Sequence, residues 1–284
     1  MSFSEQSNST PNSLLQNNYP RVFIRFLLRF AKALTLGNRA EFKLWCKGQI
    51  PGSKLDINPV DDGDFIALIE SLLESNIVTL TDLSLLEEFL ITVDCRDLLE
   101  SLKEVELQIS LSSIIEVYIK SVKDLRRGAP MKLSCDQANI VKFLLAVKER
   151  NEDVICLAIN QLEKFEEDRI ILKIIENSSP EISQLSWSKF MSYLVFIGEF
   201  CASFSWPPTQ LPDVKADGCY MSLFSNTNTC KSLSKWMLKN GGLEAFQEFI
   251  KEKQQVTISD SVSSSNGDIL KKTIELLGNR IDLQ

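Results

Sequence analysis

Histidine is missing from all 284 residues of this chain. That removes the usual near-neutral proton carrier, the base of Ser-His and Cys-His pairs, and the commonest zinc ligand. Glycine and proline are sparse, at 11 and 9. The Gly241-Gly242 pair follows a helical run and not a strand, so no phosphate-cradling loop is present. No run alternates apolar and polar residues as a half-buried strand does. No run approaches the roughly 20 apolar residues that span a bilayer, so no transmembrane anchor is expected. The first twenty residues are rich in Ser, Asn and Gln and lack the apolar stretch of a secretory leader. Cations are outnumbered, with 31 Lys and Arg against 38 Asp and Glu for a net charge of −7. Nucleic acid is therefore not an expected partner, because phosphate backbones demand clustered Lys and Arg.

Paired cysteine spacing is lacking too. The seven cysteines are Cys46, Cys95, Cys135, Cys156, Cys201, Cys219 and Cys230. Most sit inside apolar helical patterns, so reduced, buried thiols in a cytoplasmic protein are the expectation. A carboxylate or a thiol can still act alone, but no constellation of residues supports it. The expectation is a protein that is not an enzyme and holds no metal or cofactor.

What the chain does have is helical periodicity, almost everywhere, with 44% hydrophobic residues. An all-α fold follows. Residues 1–20 are expected to be disordered. From Arg21 to about Glu106 six short helices are expected, a bundle of the size one core can support. Val22, Phe23, Phe26, Leu27, Phe30 and Leu34 mark the first. Asn38 is read as the cap of the second, Arg39 to Cys46; Pro51-Gly52 then breaks the chain. Phe65, Leu68, Ile69 and Leu72 mark the next, Thr81-Asp82 caps Leu83 to Val93, and Arg96-Asp97-Leu98-Leu99 opens the last.

A second region, residues 107–252, follows with almost no linker. Ile114, Ile115, Val117, Tyr118 and Val122 suggest its first helix, stopped at Gly128-Ala129-Pro130. Asp136 is read as the cap of the next, which carries Ile140, Leu144 and Val147. Leu157 to Phe165 and Ile170 to Ile175 make two more. Then comes SWSKFMSYLVFIGEFCASF, from Ser186 to Phe204, apolar on nearly every side: Trp187, Phe190, Met191, Leu194, Val195, Phe196, Ile197, Phe200 and Cys201. A helix apolar all round must be buried all round. A Trp-bearing amphipathic helix follows, stopped by Asn240-Gly241-Gly242, and a further helix buries Phe246 and Phe249. Residues 253–284 form a Ser-rich linker and a short amphipathic tail.

The stretch from Ser186 to Phe249 resembles the first and second homology motifs of the Bcl (B-cell lymphoma-two) family of apoptosis regulators. Ser186-Trp187-Ser188-Lys189 stands for the first motif. Trp236, Asn240, Gly241 and Gly242 match the second, with Leu243 in place of its final Trp. The core of the third motif, Leu-x-x-x-Gly-Asp, is met by Leu144 with Lys148 and Glu149 in place of Gly and Asp. The resemblance implies a bundle around a central hydrophobic helix, with a groove for a partner's amphipathic helix. Its walls would be Leu144, Val147, Ile174, Met191, Val195 and Phe196. Lys189 would meet the partner's Asp, with a point charge in place of the customary Arg fork. Met191, Val195 and Phe196 read equally well as core. Trp187, Trp236 and Phe246 read as packing residues, and Gly241 and Gly242 as conformational.

The segment 21–106 resembles a death effector domain, carried by Glu41-Phe42-Lys43-Leu44-Trp45-Cys46 and by Asp97-Leu98-Leu99. That family pairs an acidic residue of its second helix with an Arg-x-Asp-Leu motif. Here Asn38 takes the acidic position, Glu41 lies one turn away, and Cys95 takes the Arg position with Arg96 displaced by one. The resemblance implies an apolar stacking surface at Leu44 and Trp45, although Leu44 reads equally as core. Arg96 and Asp97 read equally as a solvated pair.

Together these resemblances imply an apoptosis regulator acting through protein–protein contacts, on the survival-promoting side. Its partners would be proapoptotic Bcl-family helices and death-effector proteins such as adaptors or initiator caspases. A cytoplasmic place, with peripheral attachment at the mitochondrial outer membrane as an extension, goes with that reading. Two other readings stand beside it: a proapoptotic member that permeabilises membranes, and a death-effector scaffold with a non-functional groove. Lys189 and Glu199 inside the greasy helix weigh against membrane insertion. In the tail, Leu270, Ile274, Leu277 and Ile281 have the i, i+4, i+7, i+11 spacing of a groove-binding helix, with Asn279 where Asp is usual. The tail is therefore expected to enter this protein's own groove or that of another copy.

Overall fold

The computed structural model describes residues 19–47, 49, 62–130, 133–162, 185–203 and 228–256. These form ten helices: α1 (Arg21–Ala33), α2 (Leu36–Trp45), α3 (Asp62–Glu74), α4 (Ser84–Thr92), α5 (Arg96–Arg126), α6 (Cys135–Arg150), α7 (Glu152–Leu162), α8 (Trp187–Ser203), α9 (Asn228–Lys239) and α10 (Gly242–Val256). No strand occurs among the described residues; an isolated antiparallel bridge joins Thr79 to Asp82. The fold is all-α. The chain divides into two compact units at Ile109 and Ser110, a few residues past the boundary expected at 106/107.

Each unit follows from its apolar spacing. In α1 and its C-cap Leu34, Phe23, Phe26, Leu27, Phe30, Ala31 and Leu34 recur at the i, i+3, i+4, i+7 rhythm, and all are buried. The first unit's core is built on one phenylalanine from each of four helices: Phe30, Phe42, Phe65 and Phe89. Phe42 lies 4.8 Å from Phe89, 5.4 Å from Phe65 and 5.9 Å from Phe30, centroid to centroid, all at the steep angles that aromatic quadrupoles favour. Arg39 is buried beside them. Its guanidinium pairs with Asp62, donates to the Ala31 carbonyl and stands 5.7 Å from the Phe65 ring. Nothing in the periodicity of α2 announces that a cation belongs in this core.

Two caps differ from expectation. Thr35, not Asn38, caps α2, its hydroxyl accepting from the Asn38 amide. Ser134, not Asp136, caps α6, forming a reciprocal capping box with Gln137. Asp82 acts just ahead of α4, where its carboxylate accepts from the Ser84 amide and hydroxyl. These hydrogen bonds hold its carboxyl below the usual range.

The larger difference is α5. Two helices were expected, one opening at Arg96 and another around Ile114 to Val122; they are a single helix of 31 residues. No glycine or proline interrupts Arg96–Arg126, so nothing stops propagation. Leu98, Leu102 and Val105 join the first unit's core, whereas Leu111, Ile115, Tyr118, Ile119 and Val122 are buried in the second. Five helices, with α5 as the fifth, lie in the described part of the first unit, which leaves out residues 50–61.

In the second unit α8 is the centre. Every residue from Phe190 to Ala202 is buried. Among the described residues α6 and α7 pack along it, α10 packs on α6, and α9 packs on α10. Cysteine placement divides. Cys46, Cys201 and Cys230 are buried, and burial pushes each thiol up to about 12, well away from a reactive thiolate. Cys135 and Cys156 are exposed, against expectation, because each falls on the outward side of its helix. Cys219 lies outside the described residues.

Candidate functional site

Trp187 opens α8 as the ring that joins three helices. It sits 4.8 Å from Trp236 of α9 at 74°, 5.5 Å from Phe190, 5.8 Å from Phe246 and 6.1 Å from Phe249, the last two on α10. Phe143 of α6 touches the same cluster through Phe249, 6.1 Å away and edge-on. The residues that looked like separate motif remnants thus form one aromatic box.

The turn between α9 and α10 explains the glycines. Asn240 donates from its side chain to the Trp236 carbonyl at 2.7 Å, closing the end of α9. Gly241 and Gly242 then take φ of +92° and +68°, a region that side chains disfavour. A Cβ on Gly241 would also come within 2.7 Å of the Ala245 Cβ, whereas one on Gly242 would meet nothing. Gly241→Ala is accordingly expected to lower stability by about 1–2 kcal/mol. Urea denaturation of the two glycine-to-alanine variants, with Gly242→Ala the milder, checks this.

The middle of α8 holds a carboxylate where the pattern shows only grease. Glu199 is 2% exposed in its side chain and has three partners. Tyr118 of α5 donates its hydroxyl to Oε1 at 2.8 Å. Arg126, at the last turn of α5, reaches Oε2 at 3.2 Å, and Lys148 of α6 reaches it at 3.4 Å. Arg126 also lies 3.4 Å from the Ala202 carbonyl, placing its charge at the negative end of α8. Burial, and then the Glu199 charge, push the Tyr118 hydroxyl well above the usual tyrosine range, so it stays a donor at any working pH. Gly198 makes room for this: a Cβ there would stand 2.3 Å from the Tyr118 ring.

The groove residues read from sequence lie mostly inside. Leu144, Met191, Val195 and Phe196 are at most 1% exposed, so they present no open wall. The three α8 residues lie within the stretch Phe190–Ala202, every residue of which is buried. Val147 is half-buried. Lys189 is half-buried and forms no ion pair among the described residues, its amide lying 3.4 Å from the Ser186 hydroxyl. Ile174 and the tail positions Leu270, Ile274, Leu277, Asn279 and Ile281 lie outside the described residues.

In the first unit, Leu44 is 66% exposed, which removes the core reading for that side chain, and Ile91 of α4 is 58% exposed. Trp45 is half-buried, edge-on to Phe89 at 6.1 Å. Asn38 is half-buried and Glu41 and Asp97 are exposed. Arg96 pairs at 3.0 Å with Asp94, not with Asn38 or Glu41, and both partners of that pair are largely in water. One residue of displacement turns a side chain about 100° around its helix, which takes Arg96 away from α2.

Sequence reasoning missed Tyr118, Arg126 and the pairing of Lys148. The signal was Glu199 itself, because a charge amid buried residues must find partners. No group of three or more His, Cys, Asp or Glu among the described residues is placed to hold a metal ion. None of their helices is long and apolar enough to cross a membrane. Compared with protein-family models, curated proteins and solved structures, the chain finds no match.

Proposed function

We propose that this chain is a regulator of apoptosis that joins a death-effector module (residues 21–106) to a Bcl-like module (107–252). The second module would capture a partner's amphipathic helix, and the regulator would act on the survival-promoting side. The observation that carries the reading is the aromatic box. Trp187 and Trp236, far apart in sequence, meet beside a helix buried on all sides, and the Asn240-Gly241-Gly242 turn sets the angle at which α10 completes the box. Lys189, at the start of α8 with no ion partner among the described residues, is the cation left for an acidic residue on the incoming helix. Death-effector partners, adaptors or initiator caspases, would meet the exposed Leu44 and Ile91. A cytoplasmic setting, with peripheral contact at the mitochondrial outer membrane, belongs to the same proposal.

Calorimetric titration of the full chain with peptides from proapoptotic helices tests it. A dissociation constant of about 1 μM or tighter is the expected result, weakened about tenfold or more by Lys189→Glu. No heat from any such peptide would reject helix capture. A second reading has its own support: the burial of Met191, Val195 and Phe196 favours a death-effector scaffold whose groove is shut. That reading gains if the peptides fail while Leu44→Asp abolishes association with death-effector proteins.

A further inference from the structure

We propose that Lys148 is a latch: its ammonium on Glu199 holds α6 closed over the central helix and sets how readily the two part. The purpose of such a latch rests on the groove reading above; its geometry does not.

The described groove walls named from sequence, which leave out Ile174, belong to two helices that pack directly on one another, Leu144 and Val147 on α6 and Met191, Val195 and Phe196 on α8. A foreign helix reaches those residues only when α6 moves off α8. Lys148 Nζ, 3.4 Å from Glu199 Oε2, ties the two together across that line of separation. The tie is unequal. Lys148 is 25% exposed in its side chain and recovers water as soon as it swings away, whereas Glu199, at 2%, remains inside. Opening therefore strips a partner from a carboxylate still in a low-dielectric surrounding, which is the costly half of breaking a buried pair. Arg126 and Tyr118, both on α5, do not move with α6 and keep hold of Glu199. The central helix thus keeps enough partners to stay folded while α6 departs. That combination makes opening local instead of global, with a threshold set by one ammonium.

An apolar residue of similar length would pack there without forming a tie, leaving Glu199 only Tyr118 and Arg126. What the pair does is select one arrangement. The lysine therefore looks out of place against the small residue usual at that motif position only until its partner on α8 is identified.

Lys148→Met keeps the packed stem and removes the charge. In hydrogen exchange of the full chain, amides of Val141–Lys148 are expected to exchange about tenfold faster relative to those of α9 and α10. Lys148→Arg, which can still pair with the carboxylate, is expected to restore the slow rate. An unchanged rate, or a rise shared equally by α6, α9 and α10, would overturn the latch. Stopped-flow mixing with a fluorescent amphipathic peptide carrying leucines at i, i+4, i+7 and i+11 gives the second arm. Faster association with the methionine variant supports control of opening, and equal rates reject it. A peptide that binds neither protein rejects the groove, while the exchange result still decides the latch.

Discussion

Phe42→Ala is expected to destabilise the first unit by about 3–5 kcal/mol, the range for deleting a buried aromatic ring. Such a loss approaches the whole stability of a small bundle. The argument is one of position. Phe42 is completely buried and touches Phe30, Phe65 and Phe89, which means one ring contacts helices α1, α3 and α4 at once. Its removal leaves a cavity that three other rings would have to fill, and rings held edge-on to one another collapse poorly. Each edge-to-face contact adds about 0.5–1.5 kcal/mol beyond burial, so the upper end of the range is expected. Native-state hydrogen exchange of α1 and α3 amides checks it. Phe42→Leu, which keeps most of the volume, is expected to lose roughly half as much.

Gly198→Ala is the second large effect, and its cause is the opposite: too much material instead of too little. The added carbon would come 2.3 Å from one atom of the Tyr118 ring and 2.7 Å from the next. The ring cannot slide aside, being 1% exposed and tethered through its hydroxyl to Glu199. Overpacking of this kind costs about 1–3 kcal/mol, and more where nothing can give. Displacing the ring also withdraws a hydrogen bond from the buried carboxylate, so a loss of at least about 3 kcal/mol is expected. The double variant Gly198→Ala with Tyr118→Leu should recover part of that loss, which a urea denaturation cycle can measure as non-additivity. Strict additivity would mean that the ring is not what the methyl group meets.

These two cases show which parts of the molecule can be read from its letters. The buried face of α1 was legible in its rhythm, and so was α8, whose apolar run admits no exposed side. The Asn240-Gly241-Gly242 stop was legible because few residues tolerate the backbone that ends α9. Pairing was not. Nothing local says that Arg39 reaches Asp62, or that Lys148, Arg126 and Tyr118 converge on Glu199 from two other helices. Those contacts span tens of residues and depend on helix crossings, which periodicity does not encode. The length of α5 is readable in the sequence: 31 residues without a breaker outweigh the expectation of two separate helices. The direction of Leu44 needed the packing of α2 against its neighbours, because a leucine beside a buried phenylalanine can fall on either side.

If the second unit captures helices as proposed, the burial of Phe190–Ala202 has a consequence for the affinity measured. Ligands report the product of intrinsic strength and the share of molecules ready to receive them. If only about one molecule in a hundred exposes the centre of its second unit at a given moment, every partner will look about a hundredfold weaker than its contacts warrant. Substitutions far from the contact surface could then raise apparent affinity merely by enlarging that receptive share.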